Sequence, residues 1–213
     1  MLRLLFPPKC ILCKKILSRQ ETDLCHPCRE NTLEFRRPKN TIPFVAQWTA
    51  LWYYKDDVKT SIHRFKFGGR RNYADAYSRL LGLKLQSTPS QEADIITWVP
   101  VSLRRRWKRG YDQSALIAQA LSKELGIPCK RLLWKTRHTP PQSGIHNAAE
   151  RRANVLGAYR TVNRKLLRDK TILLVDDVVT TRATSSECAK TLMTSGAKQV
   201  YFAAVAAAQN DKT

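Results

Sequence analysis

Two stretches of the chain are apolar without a break: TILLV at 171–175 and VYFAAVAAA at 200–208. A strand with one wet face alternates, whereas a strand covered on both faces does not, so these runs predict parallel strands inside a sheet with helices on either side. IITWVPV (95–101) reads as a third buried strand and RLLW (131–134) as a short fourth. The aromatic PFVAQWTALWYY (43–54) reads as a strand pair laid against the sheet. Helical spacing appears between them. Tyr73, Ala76, Tyr77, Leu80 and Leu81 form one stripe after a basic turn at Gly68 and Gly69, and ALIAQALSKEL (115–125) is stopped by Gly126 and Pro128. SLRRRWKRGYDQ (102–113) reads as the loop leading into that second helix. Thr184 with Glu187 forms a T-x-x-E capping box, with a stop at Gly196. Strands alternating with helices predict an α/β fold with a mainly parallel, doubly wound sheet, whose ligands sit at the carboxyl ends of the strands.

The start of the chain does not share this pattern. Residues 1–38 are polar and cysteine-bearing, end in the charged EFRRPKN, and cannot build an apolar core unaided; from Thr41 the composition changes. Two units are therefore expected, a small module at 1–38 and the α/β domain at 39–213. Cys10-x₂-Cys13 and Cys25-x₂-Cys28 offer two thiolate hooks to one tetrahedral ion, and zinc suits four sulfurs and would staple so short a segment. Two adjacent disulfides are the alternative, disfavoured in a reducing compartment. Cys129 and Cys188 stand alone and read as small buried apolar residues.

Charge narrows the partners. Thirty-eight Lys and Arg against seventeen Asp and Glu give a formal +21 over 213 residues. That balance points to nucleic acid, an anionic membrane surface or phosphorylated ligands. No apolar run reaches bilayer-spanning length, and Pro7 and Pro8 interrupt the N-terminal MLRLLF, so the expectation is a cytoplasmic protein without stable membrane insertion.

The chemistry concentrates in VDDVVTTRATSSE (175–187). Asp176 and Asp177 at a strand end can accept hydrogen bonds from a vicinal diol. Thr180, Thr181 and Thr184, with the backbone N–H groups of Arg182 and Ala183, converge at a helix N-terminus, where unpaired donors and the helix dipole favour a phosphate. Diol and phosphate together describe ribose 5-phosphate. The stretch resembles the phosphate loop of type I phosphoribosyltransferases, with Arg182 where such loops carry glycine. If that position needs a positive φ, Arg182 costs about 1 kcal/mol.

The resemblance extends over nearly the whole chain. LLFPPKCILC, the CHPC pair, IHRFKFGGRR, VPVSLRRRWKRGYDQSALIAQAL, the Thr-Pro-Pro-Gln loop with ERRANVLGAY, and VDDVVTT together resemble the ComF (GntX-like) competence family. The resemblance implies a zinc module joined to a phosphoribosyltransferase-like domain that handles single-stranded DNA during natural transformation. The family's RGFNQ-type motif falls on Arg109, Gly110, Tyr111, Asp112 and Gln113, with Asp112 where Asn is usual. Its R-x-x-N pair falls on Arg151 and Asn154, and its loop glutamine on Gln142. By the same resemblance, Ser102 to Arg104 would form the pyrophosphate loop and Lys135 to Asn154 a closing loop. Mg²⁺ would arrive with phosphoribosyl pyrophosphate, bridging its pyrophosphate and ribose oxygens.

LRRRWKRGY supports two readings. Arg104, Arg105, Arg106, Lys108 and Arg109 can neutralise phosphates while Trp107 and Tyr111 stack bases, as sequence-tolerant single-strand binders do, with His63, Arg64, Lys66, Arg70 and Arg71 extending the track. Alternatively Arg104 and Arg109 serve pyrophosphate and Trp107 packs inward. Three functions follow: a DNA-handling competence factor with a nucleotide-like pocket, an active phosphoribosyltransferase with an unknown acceptor, or a zinc-stabilised scaffold with a disused pocket. For the first, the partners are single-stranded DNA and DNA-import helicase or channel proteins, with a peripheral position at the import site.

Overall fold

The two uninterrupted runs become the inner strands of a parallel sheet. The structure, a computed structural model, describes residues 7–36, 38, 40–137 and 153–209, without the side chain of Lys108. Its elements are α1 (His26–Asn31), β1 (Gln47–Tyr53), α2 (Asp56–Phe67), α3 (Tyr73–Leu85), β2 (Ile95–Trp98), α4 (Leu103–Arg109), α5 (Gln113–Leu125), β3 (Leu133–Lys135), β4 (Tyr159–Thr161), β5 (Thr171–Val179), α6 (Ala183–Met193) and β6 (Gln199–Ala207). The main sheet runs β1-β6-β5-β2, every pair parallel, and β3 and β4 form a separate antiparallel hairpin.

Alternate residues of the inner strands feed two cores. Leu173, Val175, Tyr201, Ala203 and Val205 join the cluster beneath α2, α3 and α5, while Ile172, Leu174, Val200, Phe202 and Ala204 join the one beneath α6 and the hairpin. This double coverage is why neither strand alternates. No helix among the described residues is long and apolar enough to cross a membrane.

Several elements depart from the sequence reading. Residues 43–54 supply one strand, because β1 runs beside β6 instead of folding back on itself. α2 was not foreseen. Residues 103–109 are helical, not loop: the Arg106 N–H reaches the Ser102 carbonyl at 3.0 Å, and Gly110 ends the turn at φ +76. A side chain at Gly110 would be strained by that φ and would meet Arg71 Nη2 at 3.4 Å. The T-x-x-E box does not form, since α6 starts at Ala183 and the Glu187 carboxylate accepts from the Gly157 N–H at 2.7 Å.

The cysteine module shares the larger domain's core. Cys10, Ile11, Leu12, Leu17, Leu24 and Cys25 cluster with Phe65, Tyr77 and Leu81. Arg64 donates to the Ile11 and Leu12 carbonyls between the first two cysteines. Ser61 Oγ donates to the Ile11 carbonyl at 2.6 Å, which leaves Tyr77 as the donor in its 2.7 Å bond to Ser61. Arg79 grips Asp23 through two nitrogens, at 2.9 and 2.6 Å.

Candidate ribose-phosphate pocket, zinc site and basic helix

Asp176 and Asp177 lie inside β5, paired with β6, and the turn 180–182 carries the chain into α6. The two carboxylates are held differently. Asp176 Oδ1 accepts from Ser114 Oγ of α5 and from the Asp177 N–H, both at 2.8 Å. Burial, then the charge of Asp177, holds the Asp176 carboxyl well above the usual carboxylate range. Asp177 is paired with Lys66 of α2 at 2.9 Å, and both side chains are largely shielded, at 11% and 18% exposure.

Asp176, Thr180, Arg182, Thr184 and Ser185 line a cavity of ≈ 40 Å³ at the start of α6. In the same turn, Thr181 Oγ1 is buried without a hydrogen-bond partner among the described residues. Arg182 has φ +62 and ψ −2, the left-handed conformation that glycine would adopt without penalty. Its carbonyl accepts from the Ser186 N–H at 2.9 Å and from Ser185 Oγ at 3.0 Å. Arg182→Gly is expected to raise stability by about 0.5–1 kcal/mol, the relieved strain being partly offset by the freer unfolded chain. A calorimetric Tm some 1–4 °C higher checks it.

The end of β2 lies beside this loop, tied by the Val99 N–H to the Val175 carbonyl at 2.9 Å. Ser102 beyond it is buried, while Arg104 is exposed. The basic helix α4 then splits its residues. Trp107 is 85% exposed, with Arg104 and Arg106 exposed beside it. Arg105 turns inward, where burial and Arg109 lower its pKa. Arg109 lies over the Phe67 ring and donates to Gln113 Oε1.

Tyr111 and Gln113 are buried, so neither presents a face to a base. The Tyr111 hydroxyl instead donates to the Phe65 carbonyl, and Arg71 covers its ring. Arg64 and Lys66 are likewise spent on the cysteine module and on Asp177, leaving the proposed basic track. Asp112 caps α5, accepting from the Ala115 N–H at 3.2 Å, which gives the acid at this motif position a structural duty. Asn154 is half-buried; Gln142, Arg151 and the Lys108 side chain lie outside the described residues.

The sulfurs of Cys10, Cys13, Cys25 and Cys28 all lie within 4.8 Å of one another. Four sulfurs at about 2.3 Å from a tetrahedral zinc stand about 3.8 Å apart, so the quartet fits that ion.

Residues 1–39 match the family model of the double zinc ribbon domain. The DNA utilization protein YhgH of Escherichia coli O157:H7 is 36% identical over 152 residues, which is 69% of this chain and 66% of that protein's length. Competence protein F of Haemophilus influenzae is 27% identical over 215 residues, 90% of this chain and 93% of that one. YhgH of Salmonella typhimurium is 30% identical over 200 residues, 90% of this chain and 86% of that one. The chain belongs to the ComF/YhgH family. Among solved structures, the glutamine phosphoribosylpyrophosphate amidotransferase of Bacillus subtilis aligns over 67% of this chain and 30% of its own, at 23% identity and a TM-score of 0.46. This ComF-family chain joins a Cys₄ zinc module to an α/β domain built on a parallel four-stranded sheet.

Three residues near the two carboxylates have roles that the sequence reading did not give them. Lys66 and Ser114 bind the two carboxylates, and Lys135, expected in the closing loop, ends β3. Lys135 is buried with its ammonium 5.1 Å from the Tyr159 ring centre, and burial with the neighbouring Arg105 lowers its pKa to about 8. The only signal for Lys66 was the spacing of Val58, Ile62 and Phe65 around it; nothing local marks the other two.

Proposed function

We propose that this ComF-family protein handles single-stranded DNA during natural transformation, gripping it through α4 and holding a phosphoribosyl pyrophosphate-type ligand at the start of α6. It would work in the cytoplasm, peripherally at the DNA-import site, beside import helicase or channel proteins. The names of its relatives, a competence protein and DNA utilization proteins, support the biological setting. The observation that carries the DNA reading is Trp107, 85% exposed beside the exposed Arg104 and Arg106 on a chain of formal charge +21. An exposed indole amid cations can stack any base while the cations neutralise phosphates.

In the pocket, Asp176 and Asp177 would receive the ribose hydroxyls, and the N–H groups of 182–184 with Thr181 Oγ1 the 5-phosphate. Magnesium would be carried by the ligand's own oxygens, since both carboxylates already have protein partners.

Fluorescence anisotropy of the zinc-loaded protein with oligo-dT tests the DNA reading. Trp107→Ala is expected to weaken binding roughly 5- to 150-fold, the worth of one stacked base, without moving Tm. Absent or salt-insensitive binding by the wild type would overturn it.

A further inference from the structure

A roomier cavity lies away from the pocket. A groove of ≈ 400 Å³ runs between α6 and β4, lined by Tyr159, Arg160, Thr161, Arg164, Glu187, Lys190, Thr191, Thr194 and Ser195. Arg160, Arg164 and Lys190 are exposed, and none has an ion-pair partner among the described residues. The single acid, Glu187, is committed to the Gly157 N–H. Thr191 and Thr194 direct their hydroxyl protons to the Glu187 and Lys190 carbonyls, so they face the groove as acceptors. Cations for phosphates and hydroxyl oxygens for base N–H donors suit a single-stranded nucleic acid better than an apolar ligand.

Position adds a second observation. α6 is the common spine: its first residues bound the pocket at 182–185, and the groove follows the same helix at 187–194, roughly 8 to 18 Å along its axis at 1.5 Å per residue. The hairpin leads from the groove back towards α4. Trp134 is paired with Arg160 across the hairpin and carries Arg131 over its ring at 4.0 Å, and Arg131 and Lys135 feel the charges of Arg106 and Arg105 respectively. Cations therefore continue from α4 across β3 and β4 to α6.

We propose that this groove is a second station for the sugar-phosphate backbone of single-stranded DNA, with Arg160, Arg164 and Lys190 each neutralising a phosphate. The proposal rests on the DNA reading above and extends it from one exposed tryptophan to a path over three elements. Its signature is a salt slope, because each lost phosphate contact on a single strand lowers the slope of log K against log[salt] by about 0.7.

The test measures oligo-dT affinity of the full zinc-loaded chain between 50 and 200 mM salt. For the triple variant Arg160→Gln/Arg164→Gln/Lys190→Gln the slope is expected to fall by about 2, so that the salt-induced loss of affinity over this range is about 20-fold smaller than in the wild type. A variant keeping the charges, Arg160→Lys/Arg164→Lys, is expected to retain the wild-type slope. Trp107→Ala serves as the contrast, with weaker binding and an unchanged slope. A triple variant with the wild-type slope, while Trp107→Ala weakens binding, overturns the groove and leaves the DNA reading standing. A wild type that binds no DNA overturns both.

Discussion

Cys25→Ser is expected to abolish zinc retention and to unfold the N-terminal module. Cys25 is buried and its sulfur lies 3.5 Å from that of Cys13, so the serine replaces an inner ligand of the quartet. Structural zinc contributes on the order of 10–16 kcal/mol in small zinc modules, as much as a whole domain's net stability. The module's own backbone bonds are mostly those of turns, with the Cys10 N–H to the Lys15 carbonyl, Ile11 to Asp23 and Leu17 to Pro8 among those that tie its segments together. Its loss would also bare the α2 and α3 face now covered by Ile11, Leu12 and Leu24, and leave Arg64 facing no carbonyl. The expected result is one zinc per wild-type chain and none in the variant. Amide exchange at residues 10–24 should become fast, and Tm should fall by more than 10 °C. Cys129→Ser, outside the quartet, should keep its zinc. Undiminished amide protection of residues 10–24 in Cys25→Ser would refute a zinc-built module.

The second large effect is at Asp177. Replacing it with Asn leaves the Lys66 ammonium largely shielded and without its counter-charge, and breaking a buried pair from one side costs about 3–5 kcal/mol. Since both side chains keep a little exposure, about 3 kcal/mol is expected, a Tm loss of roughly 6–12 °C for a chain of this size. The double variant Lys66→Met/Asp177→Leu removes both charges together and should recover most of that loss. Equal destabilisation in the double variant would mean that the pair is not what Asp177→Asn disturbs. Loss of phosphoribosyl pyrophosphate binding in Asp177→Asn therefore has to be measured well below the lowered Tm, with the Tm of the variant in hand.

Much of this arrangement could be read from the chain. The unbroken runs at 171–175 and 200–208 foretold buried parallel strands, because double coverage removes polar positions. The cysteine spacing foretold the sulfur cluster, and the arginine standing for glycine raised the question of a positive φ at 182, which the residue has. Two helices were hidden for opposite reasons. In α2 the buried Val58, Ile62 and Phe65 keep helical spacing, but charged and polar neighbours outnumber them. In α4 there is no apolar stripe at all, since Trp107 faces outward, and only the glycine stop at 110 marks the end. The partners of Asp176 and Asp177 come from elements far apart in sequence, and such a meeting leaves no local trace. Burial of Tyr111 and Gln113 was hidden likewise, because the helices that cover them are themselves set by tertiary packing.

The strand order has a further consequence, for the newly made chain. β1 is an edge strand whose partner within the sheet is β6, and about 150 residues separate them. At ribosomal speeds of about 5–20 residues per second, the aromatic segment Trp48 to Tyr53 waits on the order of 10 s before its partner exists. Until then Trp48, Trp52 and Tyr53 sit on a strand paired on one edge only, with residues 33–35, and a strand with its other edge open invites aggregation or chaperone capture. Conditions that slow translation between residues 54 and 199 should thus lower the yield of soluble protein more than slowing elsewhere.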